Sequence, residues 1–269
     1  MNRCLRSITI CTLLSFSIIQ GLVSCTVKED RSVCPCILEV CFSDSDRIKG
    51  PVLLAGWAEA RVFEEYIAAD DCLETYTRKV PRTMISFGAV DGISDCVYYG
   101  HSAIIPAGKE CDSLYAFVDR IDCTGEKALT SVVLHKQFAT VNLLFPDDAV
   151  DAQEYSFIVE SGSCGIDVLT CRPVEGAFRF EPELQAGGAA RFRLPRQGDE
   201  ALSLTVLHLP SGASVRFPLG KYISSVGYDW EAADLQDIYI TLDLVRGRVS
   251  VGVSEWEETE NYELTTVEL

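Results

Sequence analysis

From residue 34 onward, apolar and polar positions alternate with a period of two along much of the chain. Cys36, Leu38, Val40 and Phe42 fall on one face of a first predicted strand, with Ile37, Glu39, Cys41 and Ser43 on the other. Ala139, Val141, Leu143 and Phe145 repeat the pattern, closed by Pro146-Asp147-Asp148. The clearest instance is Ile238, Ile240, Leu242 and Leu244, interleaved with Asp237, Tyr239, Thr241 and Asp243. One face of that strand must be packed and the other wet. Val249, Val251 and Val253 follow the Arg246-Gly247-Arg248 turn, so these two segments predict a hairpin. Shorter strands are predicted at Leu114–Val118, Thr130–Leu134, Tyr155–Val159, Ile166–Leu169, Ala177–Phe180, Leu202–Leu209 and Val215–Leu219. Trp57–Ala68, rich in Ala and Glu, suits either one helix or a pair of strands. Many short strands separated by turn residues predict an all-β chain built as sandwich or barrel. The chain is long for one sandwich, which divides it near Lys136-Gln137 into 34–136 and 137–269.

The first 33 residues follow a different pattern. Arg3 and Arg6 precede a mostly apolar stretch from Ile8 to Val23, the layout of a secretory signal peptide over residues 1–24. The stretch is shorter than the roughly 20 residues that span a bilayer. Leu22-Val23-Ser24-Cys25 resembles the lipobox of bacterial lipoproteins, in which the cysteine is acylated and becomes the first mature residue. Acyl chains contribute about 0.8 kcal/mol per buried CH₂, and stable anchoring needs two such signals. Two or three chains on Cys25 therefore suffice without a spanning helix. The alternative is a plain signal peptide, or an uncleaved helix, in which Cys25 is incidental. Residues 25–33 then form a mostly polar leader, and Lys28-Glu29-Asp30 resembles the acidic export signal of surface-exposed Bacteroidetes lipoproteins.

Charge narrows the partners. The 269 residues carry a formal net charge of −17, and without Arg3 and Arg6 the balance is 21 basic to 40 acidic residues, or −19. Phosphate backbones require clustered Lys and Arg, so no nucleic-acid partner is expected. Attraction to an anionic membrane is equally disfavoured, so any membrane attachment has to be covalent or spanning.

Candidate chemistry is sparse. His101, His135 and His208 form no metal-protease motif, and no nucleophile elbow is present. Paired acids at Asp70-Asp71, Asp147-Asp148 and 255–260 read as solvated loops in a chain with 40 acids. Of 12 cysteines, Cys4 and Cys11 leave with the signal and Cys25 takes lipid, so nine remain. An odd number forbids complete internal pairing, and the spacing assigns no partners. Cys34-Pro35-Cys36 has no second pair at zinc-ribbon distance. No catalytic site, metal or cofactor is expected.

Several segments resemble the FimB/Mfa2 fimbrial anchor family of Bacteroidales. They are "EDRSVCPCILEV" soon after the lipobox, "AIIPAGKECDSLYAFV" and "LHKQFATVNLLF" in the middle, and "LGKYISSVGYDWEAADLQDIYITLDL" with "VSVGVSEW" near the end. The likeness runs over most of the mature chain in the family's order, with the cysteine excess and "VLLAGWAEARVFEEY" as departures. It implies two tandem transthyretin-like β-sandwich domains on the outer membrane, in a non-enzymatic minor subunit that anchors or terminates a fimbria. The implied partners are the major fimbrial pilin or other fimbrial subunits. Strand addition in this class makes the tail Asn261–Leu269 a candidate donor, with Tyr262, Leu264 and Thr266 on one face. Completing its own sheet is the alternative for that tail. A second functional expectation is a tip or adhesin subunit binding host glycan or protein through exposed aromatics such as Trp57, Tyr98 and Tyr99.

Overall fold

The computed structural model describes residues 34–43, 45–145, 154–185, 188–243, 248–254 and 265–268. Among the described residues, nineteen strands and one short helix account for the regular structure, apart from two 3-10 turns. The protein is all-β.

The strands fall into four sheets. In the first half, β1 (Cys36–Phe42) lies between β4 (Tyr76–Val80) and β9 (Lys127–Val132). Facing it is a five-stranded sheet ordered β10 (His135–Lys136), β8 (Tyr115–Asp122), β5 (Met84–Asp91), β2 (Val52–Trp57) and β3 (Arg61–Ile67). Cys36, Leu38 and Val40 point inward from β1 against Leu54, Ile85, Phe87 and Ala89, as the period-two pattern requires.

The second half opens the same way. β11 (Phe138–Leu144) pairs antiparallel with β14 (Ala189–Pro195) and parallel with β17 (Asp237–Asp243), just as β1 does with β4 and β9. β17 continues to β18 (Arg248–Ser254) and β19 (Thr265–Glu268). The predicted hairpin is present as β17 and β18, with Ile238 opposite Val253 and Ile240 opposite Val251. Against this sheet packs another, ordered β16 (Ala213–Phe217), β15 (Ser203–His208), β12 (Tyr155–Asp167), β7 (Ser102–Ile104) and β6 (Val97–Tyr99), with β13 (Pro173–Phe180) also on β12. Residues 97–104, from the first half of the sequence, thus complete a sheet of the second half. The described residues from Pro35 onward pack as one compact unit.

Two expectations need correction, and one left open is resolved. Ile166–Leu169 is not a separate strand: Ile166 and Asp167 end the long β12, and the chain then turns. The strand expected at Val215–Leu219 stops at Phe217, because Pro218 cannot donate a ladder hydrogen bond, and helix α1 (Leu219–Ser225) begins instead. In Trp57–Ala68 the chain ends β2 and then forms β3, so of the two alternatives left open strands hold.

β2 and β5 had no counterpart among the predicted strands. Val52, Leu53, Leu54 and Ala55 are all fully buried, as are Phe87, Ala89 and Val90. One face meets the first core; the other packs with Ala103, Ile105 and Val168. Burial on both faces removes the polar half of the alternation. The approach is close enough that a Cβ on Gly88 would stand 1.9 Å from the Val168 carbonyl oxygen, so only glycine fits.

Candidate functional site: a free strand edge above a polar seam

Between β10 and β11 the chain passes through Gln137, and there the packing changes from apolar to polar. Gln137 is buried; its Oε1 accepts from Arg196 Nε (3.0 Å) and Nη2 (2.8 Å), and its Nε2 donates to the carbonyls of His135 (3.1 Å) and Ala233 (3.2 Å). Arg196 further donates to the carbonyls of Trp230 and Ala232. Its partners are therefore neutral oxygens, and burial lowers the guanidinium pKa from its ordinary value. Beside it Asp234 accepts from Arg47 (2.6 Å), from the Lys136 N–H (2.7 Å) and pairs with His135 Nδ1 (2.9 Å). Burial pushes the Asp234 carboxyl up, but the bonds from Lys136, His135 and Arg47 outweigh it and hold the pKa below the usual value. The segment 229–236 is in this way fastened to both ends of the seam.

Over the seam lies a cleft of about 850 Å³, walled by Phe117, Val118, Cys171, Arg172, Gln197 and Trp230. Two features make its wall unusual. Cys171 sits at φ +55°, a left-handed conformation uncommon for a residue with a Cβ. Gln197 is buried with its Oε1 lacking a hydrogen-bond partner among the described residues.

The third feature is backbone. β8 pairs with β5 along its whole length, from Tyr115–Asp91 to Asp122–Met84. On its other side β10 covers only Tyr115 and Ala116. From Phe117 to Asp122 no strand among the described residues pairs with that edge, and its start borders the cleft. An open edge beside a cleft is where an extended segment of another chain can add.

Of the residues singled out from sequence, Cys25, Tyr262 and Leu264 lie outside the described residues. Thr266 stands in β19 opposite Ser250 of β18, so this part of the tail is an edge strand of its own sheet. The aromatic trio is only partly as expected. Tyr99 is 79 % exposed, but Trp57 and Tyr98 are half-buried where the β3 and β6 regions approach. The Trp57 ring meets His101 edge-on at 5.7 Å, and His101 Nδ1 pairs with Asp167 at 2.6 Å. Burial, with Glu64 and Tyr66 nearby, pushes the Tyr98 hydroxyl up to about 12. The β8 edge and the polar seam were not legible in the sequence. Gln137 and Arg196 are far apart along the chain, and edge vacancy depends on which strands fail to pair.

The same fold is found in solved structures of bacterial fimbrial and adhesin-type proteins. The fimbrial anchor protein Mfa2 from Porphyromonas gingivalis superposes with a TM-score of 0.60 at 12% identity, over 83% of this chain and 98% of that one. A Bacteroides thetaiotaomicron protein described as a candidate polysaccharide-binding protein gives 0.61 at 13% identity, over 84% and 100%. A candidate adhesin from the same species gives 0.57 at 13% identity, over 82% and 97%. At such identities the likeness is one of fold. No family model matches the sequence, and no curated protein matches it.

Proposed function

We propose that this protein is a non-enzymatic minor fimbrial subunit, held on the outer membrane by lipid on Cys25, that anchors or terminates a fimbria by β-strand addition to a pilin. The observation that carries this reading is the unpaired β8 edge at the cleft, in a fold shared with a fimbrial anchor protein. Main-chain bonds along Phe117–Asp122 supply affinity, and the cleft walls select alternate side chains of the incoming strand. The tail is the complementary candidate: to donate, Thr265–Glu268 must leave β18. Deleting residues 260–269 is expected to leave a folded, lipidated protein that retains fewer fimbriae; unchanged retention removes the donor role. Cys25→Ala is expected to release the protein, and fimbriae with it, into the medium, and retention on the cell contradicts the lipid tether.

A second reading, a tip or surface adhesin for glycan or host protein, is favoured by one observation. Edge strand β6 presents Val97 and Tyr99 outward, 58 % and 79 % exposed, and an exposed aromatic ring can stack on a sugar face. Labelled antibody at the fibre base supports the anchor; labelling at the tip supports the adhesin.

A further inference from the structure

Nine cysteines lie among the described residues, and their thiols differ in what they face. Cys41 meets the Thr75 hydroxyl, Cys72 donates to the Ala68 carbonyl and Cys111 to the Asp112 carbonyl. Cys36 and Cys123 are both free thiols of the first core, at the start of β1 and just past the end of β8, and lie close enough for each to bear on the other. Both are fully buried in the first core.

Backbone bonds from both sheets fix this meeting. Cys36 opens β1 opposite Val80 of β4, and the next residue, Ile37, donates its N–H to the Glu126 carbonyl at 2.9 Å. Cys123 follows β8 directly, and its N–H bonds the Thr83 carbonyl at 3.1 Å. Residues 123–126 are the crossing from one sheet to the other, so the two inward-pointing side chains converge at one end of the sandwich.

We propose that Cys36 and Cys123 form a disulfide that staples the first strand of the folded body to the end of β8. Each thiol loses its proton and one S–S bond forms. The two electrons reduce the disulfide of a thiol–disulfide exchange partner, such as oxidised glutathione, to two thiols. Burial and the neighbouring Cys36 push the Cys123 thiol up to about 12, so the native pair reacts slowly. The bond therefore forms during folding, before the core closes.

The staple has a mechanical consequence that rests on the proposed lipid anchor. Tension from a membrane-tethered leader reaches β1 first. With Cys36 bonded to Cys123, β1 cannot be peeled from β4 and β9 without breaking a covalent bond.

The test is refolding of the full chain, purified in detergent, in oxidised or reduced glutathione, followed by peptide mapping without reductant and thermal unfolding. The expected result is a Cys36–Cys123 linked peptide and a midpoint about 10 °C higher in the oxidised form. Cys36→Ser, Cys123→Ser and the double variant should each abolish that redox-dependent shift, while Cys72→Ser keeps it. Because the readout is the difference between oxidised and reduced samples, a variant that is merely less stable does not mimic the result. Free thiols at both positions after oxidative refolding, or a bridge from either to Cys34 instead, overturns the pairing. A bond that forms in glutathione but is absent from protein taken from cells upholds the pairing and contradicts the surface location.

Discussion

The sandwich interiors and the seam between β10 and β11 are held by opposite means. In the first core, Phe87 touches Phe63 and Phe117, with ring centroids at 6.4 and 6.3 Å, and the packing is apolar side chain on apolar side chain. At the seam, Lys136, Gln137 and Arg196 are buried as well, yet each is held by directional bonds: Lys136 Nζ donates to Asp237 Oδ1, Gln137 Nε2 to the Ala233 carbonyl and Arg196 Nε to Gln137 Oε1. Apolar burial scales with area and tolerates similar shapes. A buried polar network fails when one member is removed, because its partners stay desolvated and unpaired. The interiors therefore set how stable the body is, and the seam sets how 229–236, and the cleft above it, are placed.

The largest effect is expected in the apolar interior. Phe87→Ala should cost about 3–5 kcal/mol in urea unfolding, through lost transfer energy and a cavity. Its effect should be global, with hydrogen exchange rising throughout the first sandwich. From the polar side, Arg196→Ala should cost about 2–3 kcal/mol by stranding Gln137 Oε1 and two carbonyls. Here exchange should rise mainly in 229–236, and Arg196→Lys should restore little, since an ammonium lacks the planar fork. Equal, uniform exchange in both variants would erase the distinction.

A smaller effect is expected at Asp234, which is partly exposed. Its pKa is lowered in the folded state, so its contribution is present above the ordinary carboxylate value of 3.8 and lost as pH falls through the folded value. Asp234→Asn should therefore be less stable than the parent by ~1 kcal/mol or less at pH 7, and the gap should close in acid. The smallest effect belongs to Arg179→Ala. Its bonds to Glu160 (3.0 Å) and Glu181 (3.3 Å) are solvent-exposed, and the midpoint should hardly move.

Legibility in the sequence followed the same division. Strands with one wet face, such as β1 and β17, announce themselves by alternation, and Ile238, Ile240 and Leu242 are buried as the pattern required. β2 and β5 were hidden because both their faces are covered, which makes VLLAGW and SFGAV apolar runs without period. The seam was hidden for another reason: nothing in a lone Gln or Arg shows that the two lie within hydrogen-bond distance in the fold. The exposed aromatics were half legible, since a Tyr or Trp in a turn-rich segment does not show whether its ring is covered by the neighbouring edge. The cysteine pair was visible only as an inventory until the topology brought Cys36 and Cys123 to one end of the sandwich.

The claim on which most depends is that the open edge of β8 receives another subunit. A photo-reactive residue at Val118, which lines the cleft, tests it in intact fimbriated cells. The expected product is a crosslink to a fimbrial subunit, lost when that subunit's gene is deleted. Fimbriated cells that give no such crosslink from Val118, while a control position on the opposite sheet gives one, would contradict the account.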